Sequence, residues 1–120
     1  MTSYSRGDVV LVKYPNSDLK TFKRRPALVV QDLEAVSDLD MSILACISSI
    51  KTHGVVAEGP TRIKVEKQTR IGRSMGLLYD SFVVMDDLAS VTLKAIDRKV
   101  GRCTIMSRVD GCLKVALGLD

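Results

Sequence analysis

Apolar residues in this chain gather into short runs rich in β-branched side chains, and only its last stretch repeats at a helical spacing. Val9 to Tyr14 and Pro26 to Gln31 are two such runs, too brief for ordinary helices, and both read as strands. The second is apolar throughout, as expected of a strand covered on both faces. Asp38 to Asp40 turns the chain into a third strand, Ser42 to Ile50. Lys51-Thr52-His53-Gly54 reads as a loop and Gly59-Pro60 as a turn. Thr61 to Glu66 alternates, with Ile63 and Val65 on one face and Arg62, Lys64 and Glu66 on the other. Lys67 to Arg73 is a basic connector. Ser81 to Met85, Ser90 to Leu93 and Arg98 to Cys103 complete the strands, with the acidic pair Asp86-Asp87 after the first of them.

The period then changes. Ile105, Val109, Cys112, Leu113, Ala116 and Leu117 recur as one face of a helix, with Thr104 as candidate N-cap. Gly111 weakens that helix by roughly 0.5–1 kcal/mol relative to alanine. Many short strands and one packed helix predict a mainly β (α+β) fold, a small β-barrel plus helix.

At 120 residues the chain is expected to be a single domain, residues 1–120. No apolar run reaches the length of a membrane span, and the polar start (Thr2, Ser3, Tyr4, Ser5, Arg6) is unlike a signal peptide, so a cytoplasmic protein is expected. Cys46, Cys103 and Cys112 are odd in number and lack CxxC spacing, which indicates neither a disulfide framework nor a zinc site. Buried, reduced thiols are the expectation.

The net charge of +4 is modest, but the charges are segregated. Lys20, Lys23, Arg24 and Arg25 form a block without a carboxylate, and Arg62, Lys64, Lys67, Arg70 and Arg73 stand against Glu66 alone. Such a pattern suits an anionic partner as well as a solvated face. Within the first block, Pro26 biases Arg25 toward an extended conformation, and proline is tolerated as the first residue of a strand. A guanidinium is therefore expected at the mouth of a strand, beside a basic loop, as a seat for a phosphate.

Gly7-Asp8-Val9-Val10, Tyr14-Pro15, Asp18, Lys23-Arg24-Arg25-Pro26-Ala27-Leu28-Val29-Val30, Ile47-Ser48-Ser49, Leu77 through Asp86, Ile96 and Val100-Gly101 stand in this order along the chain. With these residues the chain resembles the MazF/PemK family, the ribonuclease toxins of type II toxin–antitoxin systems. The resemblance implies an SH3-like barrel of the MazF/PemK/CcdB type with a C-terminal helix, a homodimer, and cleavage of single-stranded RNA without metal or other cofactor. It also implies a cognate antitoxin as partner.

Metal-free RNA cleavage turns the 2′-hydroxyl on the adjacent phosphate, giving a 2′,3′-cyclic phosphate and a 5′-hydroxyl. Stabilising the charge that builds on phosphorus is usually the largest contribution, and arginine suits it through its planar, permanently charged fork. Arg25 aligns with the family's catalytic arginine. Ser48 stands where the family typically has threonine and retains a hydroxyl. Asp86 falls where some relatives carry an acidic group, and it would act as a base if its surroundings raised its pKa.

Lys23, Arg24, Asp18, Tyr14, Phe22, Ser49 and His53 are candidates for substrate binding. Arg24 and Ser49 face away from Arg25 and Ser48 on ideal strands. Asp18 is expected to pair with Lys23 or Arg25. Tyr14 and Phe22 flank the basic loop, where they can stack on bases or pack in the core. His53, the only histidine, has a free pKa suited to proton transfer. Two other functions stay open: a degenerate relative that binds RNA or an antitoxin without cutting, and a gyrase inhibitor on the same fold. The chain's lack of tryptophan counts against the latter.

Overall fold

The computed structural model describes residues 4–32, 40–50 and 58–120. Strands β1 (Asp8–Pro15), β2 (Phe22–Val29), β3 (Met41–Ser49), β4 (Arg62–Val65), β5 (Ser81–Thr92) and β6 (Ile96–Arg102) form an antiparallel sheet in the order β4-β5-β3-β2-β1-β6. Helix α1 (Arg70–Ser74) lies between β4 and β5, and α2 (Met106–Leu117) closes the chain. This is the mainly β, α+β architecture that the sequence predicts.

Alternation along the strands divides the core in two. Val10, Val12, Tyr14, Ala27, Val29, Leu44 and Cys46 face one side, and Val91 and Ile96 join them as the sheet curls. Val9, Leu28, Ala45, Ile47, Ile63, Val65 and Val83 face the other side, where Val109 of α2 covers them. Both faces of β2 and β3 are thus buried, which explains their continuous apolar runs.

Several sequence expectations change in detail. Ser81 to Met85 and Ser90 to Leu93 belong to one strand, because β5 runs on through the acidic pair. It does so with a bulge. Cys46 pairs with Val84 while Ala45 pairs with Leu88, leaving Met85, Asp86 and Asp87 of β5 unmatched. The basic connector contains α1, capped by the Thr69 hydroxyl, which accepts from the Gly72 N–H at 3.1 Å. Ile105, not Thr104, occupies the N-cap of α2, and no side chain caps it. Cys46 and Cys103 are buried and reduced, and Cys112 is half-buried and reduced. The Asp38 and Lys51-Thr52-His53-Gly54 readings lie outside the described residues.

The Gly7-Asp8 segment starts the sheet. Gly7 (φ +97°) turns the chain, its N–H donating to the Val29 carbonyl at 2.8 Å. Asp8 is buried; its carboxylate accepts from the Ser5 N–H at 2.8 Å and from Arg102 Nη1 at 2.8 Å, with Lys99 Nζ at 3.1 Å. Burial pushes this carboxyl up, but the Ser5 N–H, Lys99 and Arg102 outweigh it and hold it below the ordinary value. Among the described residues no helix is long and apolar enough to cross a membrane.

Candidate active site in a fork of the sheet

Pro26 is not the first residue of its strand. It stands inside β2, opposite Leu11 of β1. The ladder between β2 and β3 runs Val29↔Leu44, Leu28↔Ala45, Ala27↔Cys46 and ends there. The next residue of β2 is a proline, which has no N–H to offer a ladder. From that point β2 stays on β1 (Arg25↔Val12, Lys23↔Tyr14) while β3 stays on β5 (Ser48↔Phe82, Ser49↔Ser81). The two strands separate, and a cavity of about 470 Å³ opens in the fork.

Lys23, Arg24, Arg25 and Pro26 line one wall, and Ile47, Ser48 and Ser49 the other. Carrying the Ala27↔Cys46 register across the gap sets Arg25 opposite Ser48. Two residues far apart in sequence thus face one space because a ladder stops. Ser48 is buried and Ser49 half-buried; both line the cavity despite their alternation, since it wraps around the freed edge of β3.

Arg25 is half-buried. Its Nη1 donates to Cys46 Sγ at 3.3 Å, and its guanidinium carbon lies 6.0 Å from the centre of the Tyr14 ring. Among the described residues its buried Nε has no hydrogen-bond partner, and no carboxylate pairs with the guanidinium. A partly desolvated cation without a counter-charge has a strong affinity for an anion. Arg24 differs: it pairs with Asp97 of β6 while still lining the cavity.

Tyr14 is 1% exposed, so its ring offers no face to a base, and of its two expected roles it takes core packing. The ring lies in the core, and its hydroxyl donates to the Asp87 carbonyl at 2.8 Å. Burial first, and Asp87 second, raise the Tyr14 pKa, so the hydroxyl keeps its proton. Burial likewise pushes the Cys46 thiol up to about 11, too high for a thiolate nucleophile near neutral pH. Phe22 is exposed at the start of β2, outside the lining of the cavity.

Asp18 holds the β1–β2 turn together instead of pairing with Lys23 or Arg25. Its carboxylate accepts from the Lys20 N–H at 2.9 Å, the Thr21 N–H at 3.0 Å and the Thr21 hydroxyl at 2.9 Å. The Thr21 and Lys20 amides hold this carboxyl below its ordinary value. Asp86 stands apart from Arg25, toward β4, where it accepts from Arg62 Nη2 at 3.1 Å and the Thr61 hydroxyl at 3.0 Å. The Arg62 hydrogen bond holds its carboxyl down, the reverse of what a general base requires. His53 lies outside the described residues.

Sequence reasoning missed the third side of the cavity, made by Gly76, Leu77, Leu78, Tyr79 and Ser81. Leu78 and Tyr79 are 77% and 52% exposed, yet the loop beneath them is tightly held. Gly76 (φ +71°) lies so close to β6 that a Cβ there would fall 2.2 Å from the Val100 carbonyl oxygen. The Ser81 hydroxyl donates to the Tyr79 carbonyl at 2.8 Å, and the Lys67 N–H donates to the Asp80 carboxylate at 2.9 Å. Large apolar side chains on a braced loop at a cavity rim suit ligand contact. The available signal was Gly76-Leu77-Leu78-Tyr79, bulky residues just outside a strand. Among the described residues no group of three or more His, Cys, Asp or Glu is arranged to hold a metal ion.

The architecture defines the class first. An endoribonuclease from a mycobacterial species, solved in complex with its cognate antitoxin, superposes with a TM-score of 0.73 over 98% of this chain and 98% of its own, at 16% identity. The MazF of Deinococcus radiodurans gives 0.73 over 99% and 100% of the two chains at 16% identity. The Mycobacterium tuberculosis toxin MazF-mt6 gives 0.71 over 94% and 98% at 18% identity. At such identities these likenesses establish the fold: a MazF-type sheet and helix. No curated protein sequence matches the chain significantly. The family model for the PemK-like, MazF-like toxin of type II toxin–antitoxin systems matches residues 5–117, and the chain belongs to that family.

Proposed function

We propose that this toxin is an endoribonuclease that cuts single-stranded RNA in the β2–β3 fork. One observation carries the reading: Arg25, with which no carboxylate pairs among the described residues, brings a half-buried guanidinium to a cavity whose opposite wall is Ser48. The scissile phosphate binds to Arg25, whose planar N–H groups take up the charge that develops on the phosphoryl oxygens as the 2′-hydroxyl attacks. Loss of one such donor typically lowers kcat by about 10²–10³-fold. Ser48 supplies a hydroxyl across the fork, Lys23 and Arg24 attract neighbouring phosphates, and Ser49 and Tyr79 contact the flanking nucleotide.

Family membership supports this reading, as do solved relatives described as endoribonucleases and as MazF toxins. The antitoxin-bound relatives support a cognate antitoxin as the controlling partner. No metal enters the reaction, and the protein acts as a homodimer. The test is incubation of the purified protein with a long single-stranded RNA in EDTA. Discrete cuts with 2′,3′-cyclic phosphate and 5′-hydroxyl ends, absent with Arg25→Ala, are expected. Intact RNA from folded, antitoxin-free protein would overturn the reading in favour of a binder that does not cut.

A further inference from the structure

Arg25 is held by two residues that do not line the cavity. Tyr14 and Cys46 are both buried, 1% and 2% exposed, on the two strands that flank β2. Cys46 is the last residue of β3 paired to β2, and its sulfur accepts from Arg25 Nη1 at 3.3 Å. The Tyr14 ring lies 6.0 Å from the guanidinium carbon, within reach of a cation–π contact. Tyr14 is anchored in turn: its hydroxyl donates to the Asp87 carbonyl at 2.8 Å and approaches the Asp87 carboxylate at 3.3 Å. Asp87 belongs to the unmatched residues of the β5 bulge, so the irregularity in that strand supplies the anchor.

We propose that Tyr14 and Cys46 form a seat that orients the Arg25 guanidinium toward the fork without neutralising it, with Asp87 fixing Tyr14. They are positioning residues, and the inference rests on the ribonuclease reading. A carboxylate would orient the guanidinium as well, but it would occupy the donors and cancel the charge that the phosphate needs. A thiol is a neutral and weak acceptor, and burial first, with the neighbouring Asp87 carboxylate second, keeps Cys46 in that form. Nη1 is held by sulfur and Nε is enclosed, so the group is tied on one side, and among the described residues no carboxylate pairs with it.

The experiment combines cleavage kinetics with ¹⁵N NMR of the Arg25 guanidinium in the wild type and in Cys46→Val, Cys46→Ser and Tyr14→Phe. A seated guanidinium rotates slowly about Nε–Cζ and gives resolved Nη signals. Cys46→Val keeps the volume and removes the acceptor. It should collapse those signals and lower kcat roughly 10- to 100-fold, as misplacement of a reacting group does, with KM little changed. Cys46→Ser restores an acceptor and should hold kcat within about threefold of wild type and keep the signals. If Cys46→Val does not fold, Tyr14→Phe decides, with an expected loss in kcat of roughly three- to tenfold. Unchanged Nη signals or unchanged kcat in folded Cys46→Val or Tyr14→Phe would overturn the seat. Failure of the wild type to cut RNA would instead sink the ribonuclease reading, and the NMR would still report on the seat.

Discussion

Arg25→Ala separates a residue kept for function from one kept for stability. Three contributions to folding change in the variant. The buried Nε has no acceptor, and such a group costs about 1–3 kcal/mol, which the substitution relieves. Against this, the contact with the Tyr14 ring is lost, about 0.5–1 kcal/mol at its distance of 6.0 Å. The hydrogen bond to Cys46 and the packing of the methylene stem contribute about 1 kcal/mol more. Gain and loss nearly cancel, so stability should stay within about 1 kcal/mol of wild type, a Tm change of about 4 °C at most in either direction. Leu28→Ala, at a fully buried neighbour in the same strand, gives the scale: it should cost about 2–5 kcal/mol. RNA cleavage by Arg25→Ala should meanwhile fall by at least about 10²-fold. The assay is urea denaturation paired with single-turnover cleavage. A stability loss of about 3 kcal/mol would mean that the guanidinium is a structural element and that the reasoning from its unsatisfied Nε is wrong.

Three further outcomes are expected. Tyr79→Ala should lower kcat/KM for RNA about tenfold with an unchanged Tm, because the ring is half-exposed on a loop braced elsewhere; equal activity would remove the rim from the site. Asp8→Asn should cost about 2 kcal/mol at pH 7 by urea denaturation, the worth of hydrogen bonds to a charged group. The Asp8 pKa is depressed on folding, so its stabilisation is present above the unfolded value of about 3.9 and is lost as pH falls through the lower folded value. The gap between wild type and variant should therefore narrow below about pH 4, and a constant gap down to pH 2 would contradict that sign. Gly111→Ala should raise stability by about 0.5–1 kcal/mol, since a Cβ there meets nothing within 4 Å on an exposed helix face.

The legible parts of this protein are those governed by local period and by charge. Ile63 and Val65 alternate with Lys64 because one face of β4 is buried, and Ile105 through Leu117 repeat at the spacing that docks α2. The junction of Ser81–Met85 with Ser90–Leu93 was not legible, because two successive carboxylates interrupt the apolar pattern, and their partners Arg62 and Tyr14 come from the fold. The condition set on Asp86 was not legible for the same reason: a carboxylate's pKa depends on its neighbours, and Arg62 lowers it.

By itself the sequence determined a mainly β chain with a terminal helix, a basic block ending in Arg25-Pro26, and candidate phosphate-binding residues in Arg25 and Ser48. Only the tertiary structure decided that these two face each other, that Tyr14 packs in the core beside the guanidinium, and that Leu78 and Tyr79 form the rim. The physical reason is that strand pairing is non-local. Local preferences mark where strands and turns fall, but the ending of the β2–β3 ladder at Pro26, which opens the fork, depends on which strands lie on either side.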